Sequence, residues 1–382
     1  MKYRSLILLS CLLLCFATVF AQSSSKEILY VGTYSDRGSQ GIYVLEFDRT
    51  NGKLTEIQTL DDKESPSFLE VHPNGKYLYA VYREGMNAND KSGTVTAFEI
   101  DSASGKLSKL NEQSSEGGGP CHVSIDPKGK LAYVSNYGGG NLAIYPIRED
   151  GSLGEASDRI QHHGSSVNEN RQKEPHMHSI IPSENGKFIY ASDLGIDKIM
   201  IYQPDRKSGK LSPAKTPYAA STPGAGPRHF TFHPDGKLAF SIEELSSTIA
   251  SYSVDKNSGA LTPIDQVATL PEDAQTQSNT TADIHVSPDG KFVYGSNRGH
   301  DSIVIYKIDP SGKMSYVDHE PTKGAHPRNF CMDDKGEFVF VANRDDDNVV
   351  VFKRDAATGK LSYTGNQAKV PAAVCVQQLL LP

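Results

Sequence analysis

The sequence predicts an all-β fold, a seven-bladed propeller of four-stranded antiparallel blades. Three observations carry this: a turn that recurs along the whole chain, a period of about fifty residues between its copies, and no helical periodicity anywhere. The turn first reads "TNGKLTEI". It returns as "ASGKLSKL", a looser "EDGSLGEA", "KSGKLSPA", "NSGALTPI", "PSGKMSYV" and "ATGKLSYT". Its glycines are Gly52, Gly105, Gly151, Gly209, Gly259, Gly312 and Gly359, one for each predicted blade.

A second punctuation falls between these turns: "HPNGKYLYAV", "DPKGKLAYVS", "SENGKFIYAS", "HPDGKLAFSI", "SPDGKFVYGS" and "MDDKGEFVFV". Each is a polar turn with glycine running into β-branched and aromatic residues, the mark of a hairpin entering a strand. A further strand such as "DSIVIYKID" follows, and the first kind of turn then leads into a fourth. The ends complement each other. "KEILYVGTYS" lacks a preceding inner strand, and "VPAAVCVQQL" resembles an orphan one. The C-terminal strand is therefore expected to complete the first blade, closing the ring and hiding its sheet edges.

Residues 1–21, "MKYRSLILLSCLLLCFATVFA", read as a secretory signal peptide: Lys2 and Arg4 precede an apolar run, and Val19-Phe20-Ala21 is a small-residue cleavage pattern. The expected organisation is a leader at 1–21 and one propeller domain at 22–382, exported to the periplasm or beyond the cell, with no membrane span after leader removal. Losing Lys2 and Arg4 takes the formal charge of −7 to −9, which argues against a nucleic-acid partner. An anionic small molecule stays compatible, since a few arginines in one pocket outweigh the global sign. Cys121, Cys331 and Cys375 remain, with no disulfide framework or zinc spacing. His162, His163, His176 and His178 are close in sequence, yet their spacing does not require a zinc site. "RDDDN" at 344–348 reads as a solvated turn.

Equivalent positions of a propeller face the same part of the central channel, so the repeats were laid over one another. The inner strands give one column of Phe68, His122, His178, His229, Asp283 and Asn329. The column before it holds Ser67, Cys121, Met177, Arg228, Ala282 and Arg328. The ends of the second strands give Tyr82, Asn136, Asp193, Glu243, Asn297 and Asn343, followed by Arg83, Tyr137, Leu194, Glu244, Arg298 and Arg344. Packing positions filled with His, Arg, Glu, Asn and Tyr are costly unless these groups are paired or used. Solvation in a water-filled channel is the bland explanation; a binding site in the channel is the functional one.

At these residues the chain resembles the seven-bladed propeller lactonases, a family that includes one type of 6-phosphogluconolactonase and the fungal carboxymuconate lactonising enzyme. The resemblance spans the mature chain and rests on "YVGTYS", "VSNYGGGN", "HHGSSVNENRQKEPHMHS", "GAGPRHFTFHPDGK", "EELSSTI" and "GSNRGHDSI". It implies a site of one histidine, two arginines and a glutamate: His178, Arg228, Arg298 and Glu244. It also implies hydrolysis of a small anionic lactone, without metal or organic cofactor. His178 and Glu244 are expected to share the acid–base work, and Arg228 and Arg298 to hold the substrate and its developing charge. His122, Asn136, Tyr137, His176, Arg328 and Arg344 are expected to line the pocket. Glu243 beside Glu244 departs from the family's usual Asn-Glu, so one carboxyl should be protonated or turned away. Two other functions fit the same residues: a muconate-type lactonising isomerase, and a non-catalytic exported propeller that binds a glycan or protein.

Overall fold

In the computed structural model the described residues are 26–61, 65–83, 92–274 and 278–381. The leader expected at 1–21 lies outside them, as do parts of the loops around 84–91 and 275–277. Among the described residues, twenty-eight strands form seven four-stranded antiparallel sheets. We number the blades along the chain. Blade 1 runs from the channel outward as Ala373–Leu380, Glu27–Thr33, Gly41–Asp48 and Lys53–Asp61. The C-terminal strand thus supplies its innermost member, with Glu27 to Val31 pairing Leu380 to Val376. Blades 2 to 7 begin with inner strands Pro66–Val71, Pro120–Ile125, Met177–Pro182, Pro227–Phe232, Thr280–Val286 and Pro327–Met332.

The second strand of each blade is sandwiched between neighbouring blades and reads as a continuous apolar run. "YLYAVY" and "FVFVAN", for example, are buried almost throughout. The packing is aromatic in places: Tyr190 of blade 4 stacks on Phe230 of blade 5 at 5.3 Å between ring centroids.

The recurring turn has a physical explanation. Its glycines take φ values between 67° and 89°, a left-handed conformation that other residues adopt only with strain. The turn also locks one blade to the one before it. Tyr30, Tyr79, Tyr190 and Tyr294, each on a second strand, donate their hydroxyls to the carbonyls of Gly105, Gly151, Gly259 and Gly359 of the following blade. A Cβ on Gly259 would stand 2.5 Å from the Phe188 ring. Gly259→Ala is therefore expected to destabilise the fold by about 1–3 kcal/mol through strain and the displaced ring. Thermal melting checks this. The turn follows the third strands and so lies on the face opposite the ends of the second strands, so catalysis by the folded protein should be unaffected.

The acidic turn is more than solvated. Asp347 accepts from Arg37 Nε at 2.7 Å and from the Ala372 amide at 2.9 Å, joining blade 7 to both parts of blade 1.

Candidate active site

All six inner strands of blades 2 to 7 carry a one-residue register shift near the start, around Ser67, Cys121, His178, Arg228 and Arg328 and, in blade 6, between Thr281 and Ile284. A bulge leaves its extra residue out of the ladder and re-aims its side chain. These residues turn toward one mouth of the channel, and this corrects one alignment. His178 is the equivalent of Cys121, Arg228 and Arg328, not of His122. Each stands the same distance ahead of its turn glycine, Gly129, Gly186, Gly236 or Gly336. Met177 instead pairs with Asp193 as Pro120 pairs with Asn136.

The bulged residues meet the ends of the second strands in a cavity of about 460 Å³. Its walls include Cys121, Tyr137, Arg171, His178, Glu244 and Arg298, with Tyr34, Arg83, Arg328 and Arg344 at the opposite side. Of the expected site residues, His178, Glu244, Arg298, Tyr137, Arg328 and Arg344 line this cavity, and Arg228 lies directly behind Glu244. Besides Arg228, three expected residues do not line it. His122 stacks on Phe68 at 4.2 Å and faces a second cavity of about 410 Å³ toward the other mouth. Asn136 points sideways, its amide donating to the Ser115 carbonyl at 2.8 Å. Asn297 and Asn343 do the same to Thr269 and Thr322, so these asparagines tie the second strand of one blade to the segment after the outer strand of the preceding blade. His176 stacks flat on Tyr137 at 4.4 Å, with Nδ1 against the Tyr137 carbonyl, and supports that ring from behind.

Glu244 is the electrostatic centre. Arg228 Nε reaches its Oε2 at 3.0 Å, Arg298 Nη2 the same oxygen at 2.9 Å, and Arg171 Nη2 its Oε1 at 2.6 Å. Burial opposes its ionisation, but these three guanidiniums outweigh it and hold the carboxyl well below the usual carboxylate range. Arg228 also donates to the Ala282 carbonyl, and Arg298 to that of Thr281 at 2.6 Å. Burial, then Arg298 and Arg328, push the Arg228 guanidinium down to about 9, so it stays cationic at neutral pH. Arg171 was not among the expected site residues. It comes from the loop between blades 3 and 4 and also donates to the Tyr137 hydroxyl at 3.1 Å.

Glu243 turns away from the cavity. Its Oε1 accepts from Ser241 at 2.8 Å, and burial raises the carboxyl to about 7. His178 is buried, with Arg228 nearby, and both hold its imidazole well below its ordinary 6.5, so it is neutral at pH 7. Cys121 stands 3.9 Å from His178 Nδ1. Burial raises its thiol to about 11, which leaves it protonated and a poor nucleophile.

The clustered histidines do not converge. His162 is held between Asp193 at 2.7 Å and the Tyr202 hydroxyl at 2.8 Å, while His176 is bound to Tyr137. Among the described residues no three metal-ligating side chains gather.

A seven-bladed ring with a guanidinium-rich pocket at one mouth defines the class, and comparison supplies the family. The Lactonase family, described as a 7-bladed beta-propeller, matches residues 28–378, and the chain belongs to it. It is similar to a 6-phosphogluconolactonase of Bacillus subtilis, 36% identical over 93% of this chain and 99% of that one. It is also similar to a 6-phosphogluconolactonase of Formosa agariphila, 37% identical over 87% and 94%. The solved structure of a Pseudomonas aeruginosa periplasmic gluconolactonase superposes with a TM-score of 0.86, at 30% identity over 94% of this chain and 100% of that one.

Proposed function

We propose that the chain hydrolyses an anionic sugar lactone, 6-phosphogluconolactone or a close relative, in the cavity at this mouth, as an exported protein on the leader expected at residues 1–21. The observation that carries this reading is a neutral, buried histidine beside a carboxylate that aligns three arginines. His178 takes a proton from the attacking water as its oxygen bonds to the lactone carbonyl carbon. The carbonyl oxygen becomes anionic and is stabilised by Arg298 at the cavity wall, with the Arg228 charge acting from behind Glu244; Glu244 keeps both guanidiniums in place, so no solvent has to reorganise. The ring C–O bond then breaks, and the proton on His178 passes to the departing alkoxide, giving a hydroxy acid. Glu244, so firmly ionised, is a very weak base. Its part is to fix the guanidiniums, and the shared acid–base role expected for it falls to His178 alone.

The pH profile tests this assignment. The active form carries neutral His178, and its proton affinity is depressed, so lowering pH through the ordinary histidine value of 6.5 should not protonate it. After subtraction of spontaneous hydrolysis, kcat/KM should stay level from about pH 8 to about pH 6 and fall only in more acidic solution. An acid limb centred at or above 6.5 would remove His178 as the base.

A further inference from the structure

The pocket is electrically lopsided, and the excess charge lies away from the proposed chemistry. His178 belongs to blade 4, Arg228 and Glu244 to blade 5, and Arg298 to blade 6. Across the channel, blades 7, 1 and 2 contribute Arg328, Tyr34 and Arg83. Tyr34 follows the strand Glu27–Thr33, and three guanidiniums surround its ring: Arg83 at 5.1 Å, Arg328 at 5.3 Å and Arg344 at 5.6 Å from the centroid.

Their partners differ. Arg344 is paired with Asp36 and with Asp345. Among the described residues, no carboxylate lies within ion-pair distance of Arg83 or Arg328; the face of Tyr34 is the contact that holds both guanidiniums. A tyrosine face attracts a cation by only about 0.5–2 kcal/mol and leaves its N–H donors free. Among the described residues, six guanidiniums (Arg83, Arg171, Arg228, Arg298, Arg328 and Arg344) thus face three carboxylates (Glu244, Asp36 and Asp345), an excess of three positive charges in a chain of net charge −7. Crowding like charges on one ring is unfavourable until an anion arrives.

We propose that Arg83 and Arg328 form a subsite for a phosphomonoester on the lactone, remote from the reacting carbonyl and gripped from blades 7 and 2 while blades 4 to 6 carry out hydrolysis. This rests on the lactonase reading and sharpens it: the pocket is built for a phosphorylated sugar lactone rather than its neutral counterpart. A phosphomonoester carries about 1.5 to 2 negative charges near neutral pH and three acceptor oxygens, which suits two guanidiniums with unused donors. Tyr34 sets the planes of both groups before the ligand binds.

The test compares the wild type with Arg83→Gln, Arg328→Gln and the double variant, each first checked by its melting curve. Rates are measured on 6-phosphoglucono-δ-lactone and on unphosphorylated glucono-δ-lactone. Each single variant should lose about tenfold or more in kcat/KM on the phosphorylated lactone, at least about fivefold more than it loses on the unphosphorylated one, with a larger difference in the double variant. Isothermal titration with inorganic phosphate gives a readout independent of turnover: the wild type should bind it, and the double variant should bind it at least about tenfold more weakly. Equal losses on both lactones, or phosphate binding unchanged by the substitutions, would overturn the subsite. A wild type that hydrolyses neither lactone but binds phosphate through these arginines would overturn the lactonase reading and leave the anion subsite standing.

Discussion

His178→Ala lowers kcat/KM on the lactone about a hundredfold or more, the range expected when a positioned general base is removed. The loss should fall on kcat, with KM little changed, because the arginines that hold the substrate remain. The fold should tolerate the change. Among the described residues, the 3.9 Å approach of Cys121 is the one side-chain hydrogen-bond contact of this imidazole, and its aromatic neighbours Tyr137 and His229 stand 5.4 and 5.3 Å away between centroids. The variant also leaves the neighbouring guanidiniums with one less buried polar group beside them. Steady-state kinetics alongside a melting curve separates the two effects. A variant with a wild-type rate would move the base elsewhere in the pocket.

Glu244→Gln should cost both stability and rate. Arg228, Arg298 and Arg171 converge on this one carboxylate, and the side chains of Arg228 and Arg298 are 2% and 8% exposed. A glutamine keeps the shape but removes the negative charge, leaving three like charges close together and two of them shielded from water. Breaking a buried ion pair by removing one partner costs about 3–5 kcal/mol, and the half-exposed Arg171 places the expectation near the lower figure. The melting temperature should therefore fall by several degrees. With Arg228 and Arg298 no longer fixed, kcat should fall about tenfold or more even in the fraction that folds. A melting curve that matched the wild type would show that the three arginines do not depend on Glu244.

The repeated turn made the blade count legible, because a left-handed glycine packed on the previous blade is a local demand that every blade repeats. Closure by the C-terminal strand was legible from an unpaired strand at each end. The two columns at the ends of the second strands also appeared, but sequence did not separate their directions. Along a strand, successive side chains point opposite ways. Asn136, Asn297 and Asn343 therefore turn to the segments after the outer strands of the preceding blades, while Tyr137, Arg298 and Arg344 enter the cavity. Aligning blade 4 on its inner-strand residues shifted it by one place. Counting back from the turn glycine, which the hairpin fixes in space, puts His178 on the bulge with Arg228. Arg171 left no periodic trace, since it lies in a loop that only blade 3–4 carries. The one available clue was the longest spacing between turns, Gly151 to Gly209, which marks inserted chain. Arg83 did stand in a column, but its lack of a carboxylate partner among the described residues is a property of the assembled ring.

The most direct measurement is proton release at constant pH from fresh 6-phosphoglucono-δ-lactone, with the wild-type protein and His178→Ala run in parallel against spontaneous hydrolysis. The account predicts a wild-type rate far above background that the variant brings close to it. A wild-type rate equal to the spontaneous one, or a variant as fast as the wild type, would contradict it.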